Sequence, residues 1–207
     1  TRGIIYNKRA HVYKVNIQTK KFTKVVDGDA NNIISISSLV EGKKGIVLSF
    51  DQYNLKGTML EEKIGAIEGS KIKEIYSKGS MGNLFYYEDC LHAVGMRKRF
   101  DWPTNTSILK ISSSGKVSFK YPSFDRNIVK AEVYEGILYF LYEDSGKTLL
   151  RDSTNNIDLI NSEITIKDFA FNNEKTYVIA NSFSNPDEIY ELSNGQLTQI
   201  SKANESF

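Results

Sequence analysis

The chain has 207 residues, and its 27 Lys+Arg face 25 Asp+Glu for a formal net charge of +2. That length suits one domain or two small ones, and the even balance excludes a strongly basic nucleic-acid binder and an acidic disordered tail. Hydrophobic residues make up 40%, with 12 Tyr and 11 Phe, too many for a chain without a core.

Ala occurs 8 times and Ile 22 times. Ala favours helices and β-branched residues favour strands, so the composition leans to an all-β fold. The single cysteine, Cys90, excludes an intramolecular disulfide and leads us to expect a reducing, cytoplasmic compartment. No run approaches the ~18 apolar residues of a membrane helix and no signal peptide opens the chain, so no membrane partner is expected. The chain opens on Thr1-Arg2-Gly3 rather than Met, from which we expect a piece of a longer protein.

Taken in order, the apolar runs are short and alternate with polar residues, as half-buried strands do. Tyr13, Val15 and Ile17 share one face of a strand over His11–Ile17, and a second strand follows over Phe22–Val26. A first group of four reads Ile33–Leu39, Gly45–Phe50, Met59–Ile67 and Lys71–Ser77. Leu60, Ile64 and Ile67 have helical spacing, but Gly57, Gly65 and Gly69 interrupt them, so a strand is expected there. A second group reads Asn83–Tyr87, Leu91–Met96, Ser107–Ser112 and Lys116–Tyr121. A third reads Ile128–Tyr134, Ile137–Tyr142, Thr148–Asp152 and Ile157–Asn161. The fourth reads Ile164–Phe171, Thr176–Ala180, Glu188–Leu192 and Gln196–Ser201.

Two series of turns, one including Glu68-Gly69-Ser70 and Ser113-Ser114-Gly115, the other Glu88-Asp89 and Glu135-Gly136, each recur at roughly 40–50 residues, the period of a four-stranded propeller blade. The expected architecture is an all-β, β-propeller-like fold of about four and a half blades, part of an incomplete, seven-bladed ring. It comprises a half blade over 1–30 and blades over about 31–79, 80–124, 125–162 and 163–203. A β-sandwich stays open as the alternative, because strand count and spacing do not separate the two.

The C-terminal stretch Ser182-Phe183-Ser184-Asn185-Pro186-Asp187-Glu188-Ile189-Tyr190-Glu191-Leu192, then Gly195-Gln196 and Ile200-Ser201-Lys202-Ala203-Asn204, resembles the last propeller blade of the prolyl oligopeptidase family, in particular its acylaminoacyl-peptidase branch. His11-Val12-Tyr13-Lys14-Val15, Phe22-Thr23-Lys24-Val25-Val26 and Asp27-Gly28-Asp29 are similar to an early blade of that family. The family's Trp-Ser-Pro-Asp-Gly signature is absent, and the middle blades match in spacing alone.

The resemblance implies a non-catalytic propeller lid that filters peptides on their way to an α/β-hydrolase domain. That domain, with its Ser-Asp-His triad, is not in these 207 residues. The implied partners are therefore the hydrolase domain of the same parent protein and peptide substrates in transit. No Gly-x-Ser-x-Gly elbow is present; Gly79-Ser80-Met81-Gly82 has the wrong spacing. A stand-alone propeller-like scaffold for protein interactions is the competing reading. No catalytic residue, cofactor or metal is expected.

Three clusters warrant a structural check. Cys90 and His92 lie two apart on one strand face, but a structural zinc site needs about four ligands, so a buried thiol beside a hydrogen-bonded histidine is the simpler reading. Asp27 and Asp29 are expected to close a turn rather than bind a cation. The loop Arg97, Lys98, Arg99, Phe100 and Trp102 is the densest basic and aromatic stretch and a candidate partner contact, with the hydrolase domain or substrate or with phosphates; a solvated surface turn with Trp102 tucked down is the favoured reading. It does not point to nucleic acid, since the net charge is too low. Finally, an incomplete ring leaves open edges, through which homodimer formation is expected.

Overall fold

The computed structural model describes residues 9–43, 45–53, 59–98, 105–160, 164–173 and 175–204. Among them, eighteen strands form one two-stranded and four four-stranded antiparallel sheets. In chain order, β1 (Val12–Val15) pairs with β2 (Phe22–Val26). Then come β3 (Ile33–Gly42), β4 (Gly45–Tyr53), β5 (Leu60–Glu68) and β6 (Lys71–Tyr76). The third sheet is β7 (Ser80–Tyr87), β8 (Cys90–Met96), β9 (Ser107–Ile111) and β10 (Val117–Phe119). The fourth is β11 (Ile128–Tyr134), β12 (Ile137–Asp144), β13 (Lys147–Asp152) and β14 (Ile157–Asp158). The fifth is β15 (Thr165–Asn172), β16 (Lys175–Asn181), β17 (Glu188–Ser193) and β18 (Gln196–Gln199). Each sheet is a meander, its strands paired in chain order. No described helix is long and apolar enough to cross a membrane.

The turns explain why hairpins form where they do. Gly136 and Gly195 follow Glu135 and Asn194, and all four residues have positive φ, as tight hairpins require. Glu88 and Asp89 adopt the same geometry, φ 51° and 57°, without a glycine.

Several strand limits differ from the sequence expectation. β7 begins at Ser80, not Asn83; Asn83 has φ 42° and is the extra residue of a bulge between Gly82 and Leu84. Such irregularities recur in every first strand, between Ile33 and Ser35 and between Ile36 and Ser38 in β3, Ile128 and Lys130 in β11, and Ile166 and Asp168 in β15. β1 is shorter than His11–Ile17 because Asn16 already closes the turn, its side chain accepting the Thr19 amide. β10 covers three of the six expected residues and β14 two of the five, after which the Leu159 amide still bonds to Leu150.

The chain divides into two compact units, Thr1–Thr104 with Leu109–Lys120, and Asn105–Ile108 with Tyr121–Phe207. In the first, Leu48 and Phe50 of β4 pack with Val12, Val26 and Ile33, while Val47, on the opposite face, packs with Ile64, Met81, Leu84, Leu91 and Ala93. The sheet β3–β6 thus has apolar neighbours on both sides. In the second, Leu141, Leu150 and Ile160 pack with Ile166, Phe169, Val178, Ala180 and Leu192.

Candidate functional site

The basic and aromatic loop is described in part. Arg97 and Lys98 are exposed at the end of β8. The Arg97 guanidinium lies 5.3 Å from the centre of the Phe119 ring, and its carbonyl accepts the Tyr76 hydroxyl. Arg99, Phe100 and Trp102 lie outside the described residues.

Cys90 and His92 share a face of β8, but the cysteine holds the histidine through its backbone. The His92 Nδ1–H donates to the Cys90 carbonyl at 3.0 Å. Its ring is fully buried, stacked on Phe85 at 5.5 Å and met edge-on by Tyr87. Nε2 finds no hydrogen-bond partner among the described residues. Burial pushes the His92 pKa below its ordinary value, and the Cys90 carbonyl acts the other way.

His11, Asp27 and Asp29 bring one ligand atom each within 4.8 Å of one another. The Asp27 carboxylate and the His11 Nδ1 are engaged within the turn. The Asp27 Oδ1 accepts the amides of Asp29 and Ala30, and Oδ2 accepts Lys24 at 3.1 Å. The His11 Nδ1 accepts the Gly28 amide at 2.9 Å. A Cβ on Gly28 would lie 2.0 Å from the Ala10 carbonyl oxygen, so only glycine fits. Lys24, and then the Asp29 amide, hold the Asp27 carboxyl below the usual carboxylate range. This geometry is an Asp-closed turn that locks β1–β2 onto the start of β3, with the Lys24 ammonium on the second Asp27 oxygen.

Sequence reasoning missed two arrangements. Glu188, 5% exposed at the start of β17, accepts the Ser201 hydroxyl, the Ala203 amide at 3.1 Å and the Asn204 amide at 2.8 Å. Ser201 in turn accepts the Ile189 amide. Ser201, then the Asn204 and Ala203 amides, hold the Glu188 carboxyl below its usual range. The signal was present, since Glu188, Ser201 and Asn204 all lie in the C-terminal motif. In the same unit, Arg151 grips Asp158 with two nitrogens at 2.8 and 3.1 Å and lies over the Tyr142 and Phe124 rings. Burial, then the Asp158 hydrogen bond, push the Tyr142 hydroxyl up to about 12. Nothing in the spacing of these residues announced that cluster.

The Glu188 clamp has counterparts. Beside the start of β9, the Thr106 carbonyl accepts the Ile128 amide and its hydroxyl donates to the Ile128 carbonyl. In β5, Glu62 accepts the Met81 amide of β7. Beside β1, the Ala10 amide donates to the Ile33 carbonyl of β3. Neither histidine is hydrogen-bonded to a serine or threonine hydroxyl among the described residues, so no nucleophile–base pair is assembled there.

No family model and no curated protein matches this chain. Solved structures do. The acylaminoacyl peptidase of Pyrococcus horikoshii superposes with a TM-score of 0.69 over 93% of this chain at 14% identity. The β-propeller domain of the trilobed protease from Pyrococcus furiosus, described as having an open velcro topology, superposes with a TM-score of 0.62 over 98% at 12% identity. An acylaminoacyl peptidase bound to Z-Gly-Gly-Phe-chloromethyl ketone gives 0.61 over 81% at 16% identity. The chain spans 31% of the P. horikoshii peptidase and 79% of the trilobed protease propeller. The fold is thus that of the propeller domains, and the sandwich alternative falls.

Proposed function

We propose that this chain is the non-catalytic propeller part of an acylaminoacyl-peptidase-like serine peptidase, a lid that filters which peptides reach a separate hydrolase domain. The observation that supports this is the superposition on an acylaminoacyl peptidase over nearly all of this chain and a third of the other. It agrees with a sequence lacking a nucleophile elbow and a structure in which His11 and His92 are held by backbone groups. Three of the residues singled out brace the fold: Glu188 clamps 201–204, Asp27 closes a turn and His92 fills a sheet. A domain built this way selects by shape and access, and leaves bond-breaking to another part of the parent.

The experiment uses the natural gene product that contains this chain. It is assayed on short peptides and on a folded protein carrying the same cleavable sequence. The reading expects hydrolysis of the peptides and protection of the folded protein. Equal cleavage of both overturns the lid, and cleavage of neither overturns the peptidase.

A further inference from the structure

Three hairpins of the second compact unit turn in the same way. Tyr134 pairs with Ile137, Asp144 with Lys147, and Ser193 with Gln196, each across two residues. Those residues are Glu135-Gly136, Ser145-Gly146 and Asn194-Gly195, with φ of 50° and 79°, 50° and 78°, and 50° and 75°. Positive φ at both positions is what a two-residue hairpin prefers. The first position therefore needs only a residue that tolerates this geometry, and glutamate and serine do so here. Asparagine brings something they lack, a carboxamide carbon one methylene from the backbone. The glycine after it has no side chain to shield its own amide nitrogen. Asn194-Gly195 is the only Asn-Gly pair in the 207 residues. Both residues are exposed, and among the described residues neither the Asn194 side chain nor the Gly195 amide has a hydrogen-bond partner.

We propose that Asn194 is a site of spontaneous covalent modification, deamidation through a cyclic imide. The Gly195 backbone nitrogen attacks the Asn194 Cγ and gives its proton to water; ammonia leaves, and a five-membered succinimide closes. A water molecule then opens the imide at either carbonyl. One opening gives aspartate; the other gives isoaspartate, whose main chain runs through Cγ and is longer by one carbon. Water is the only co-reactant. Left-handed backbone at Asn194 sets the Gly195 nitrogen on the far side of the Cα–C bond from the side chain, so the ring closes only when the hairpin opens. That opening is within reach, because β18 is four residues long and ends its sheet, paired with β17 alone.

Asp27-Gly28, the only Asp-Gly pair in the sequence, forms the same imide in principle and serves as the internal comparison. There the attacking amide is engaged, the Gly28 N–H donating to the His11 Nδ1 at 2.9 Å. The electrophile is engaged too, by Lys24 and by the Asp29 and Ala30 amides. The same partners, Lys24 first, hold the Asp27 carboxyl below its usual range, and an ionised carboxylate resists attack by a nitrogen. The reaction is thus blocked at Asp27 and open at Asn194. Isoaspartate at 194 would break the two-residue turn, since the added carbon spoils the pairing of Ser193 with Gln196. The strand set loose is β18, just ahead of Ser201 and its bond to Glu188. β16 keeps both neighbours, β15 and β17. This chemistry needs neither the lid reading nor a catalytic domain, so its failure leaves that reading standing.

The test ages the natural gene product for weeks in mildly alkaline buffer at physiological temperature. Peptide mass spectrometry follows the mass gained when asparagine becomes aspartate, and labelled methyl transfer by an isoaspartyl methyltransferase locates isoaspartate. Asn194 should be modified ahead of every other asparagine of residues 1–207, with isoaspartate in excess over aspartate and none at Asp27. Amides of 196–199 should exchange hydrogen faster in the aged protein than in the fresh one. The variant Asn194→Ser copies the Ser145-Gly146 turn, so it keeps the hairpin and loses the carboxamide. It should gain no isoaspartate at 194, and its β18 exchange should not change with age. Another asparagine that outpaces Asn194, isoaspartate at Asp27 to the same extent, or equal loosening of β18 in the aged variant overturns the proposal.

Discussion

Strands β4 and β16 hold the same place in their sheets, second of four, yet they are buried differently. In β4, four consecutive residues, Val47, Leu48, Ser49 and Phe50, are at most 5% exposed. In β16, Val178 and Ala180 are buried, but Ile179 between them is 38% exposed. Successive side chains of a strand point to opposite faces, so β4 is covered on both and β16 on one. β8 behaves like β4, with Leu91, His92, Ala93 and Val94 all buried. The comparison teaches that two strands with the same place in their sheets differ in apolar pattern according to whether one face or both are packed.

The largest effects should separate the two kinds of strand. Leu48→Ala removes a fully buried side chain between two packed layers and should lower unfolding free energy by about 2–5 kcal/mol. Ile179→Ala, measured by urea unfolding at a dilution where chains do not associate, should cost within about 0.5 kcal/mol, as an exposed position does. Equal losses would break the comparison.

Next in size is the clamp on the last sheet. Glu188→Gln keeps the shape but removes the charge that holds the Ser201 hydroxyl and the Ala203 and Asn204 amides. Those two amides should exchange hydrogen faster in the variant, while the β16 amides keep their protection. The wild-type carboxyl is held below its ordinary 4.5, so its contribution is present above that pH and is lost as pH falls toward the lowered value. Glu188→Gln should lack this acid limb. Unchanged exchange at 203 and 204 would show that the clamp is not what orders them.

His92 gives a smaller, pH-dependent effect on a strand covered on both faces. Burial holds its pKa below the ordinary 6.5, so the fold prefers the neutral ring. Its contribution is intact above 6.5 and declines as pH falls from there toward the lowered folded value. His92→Phe, which preserves stacking on Phe85, should flatten that part of the stability profile. An identical slope in the variant would assign it to other groups.

Smallest is the ion pair Lys43–Asp89, whose partners are 84% and 77% exposed. Lys43→Ala should change stability by less than about 0.5 kcal/mol. A thermal melt checks it, and a larger loss would mean that the turn contacts between β3–β6 and β7–β10 carry more than their exposure suggests.

Much of this fold was legible in the sequence because strand and turn signals are local. Gly, Asn and Asp at positive φ mark the turns at Gly69, Gly115, Asn156 and Gly195, and the alternation between them marks the strands. The bulges were not legible. Asn83 reads as a turn residue, and nothing local tells that the chain pairs on both sides of it, because pairing is a property of β8 as well. The same limit applies to chemistry. Glu188 and Ser201 are thirteen residues apart and meet because β17 and β18 form a hairpin. The Asp27 turn was readable because its bonds to Asp29 and Ala30 span two and three residues.

The proposed lid reading assigns residues 1–207 to shaping access and places the reactive serine elsewhere in the parent protein. The most direct test treats the natural gene product with a fluorophosphonate, which reacts with activated serines, and locates the adduct by peptide mass spectrometry. The account predicts a single labelled serine, in a Gly-x-Ser-x-Gly sequence outside residues 1–207, and no adduct within them. An adduct on any serine of residues 1–207, or no labelled serine at all, would contradict it.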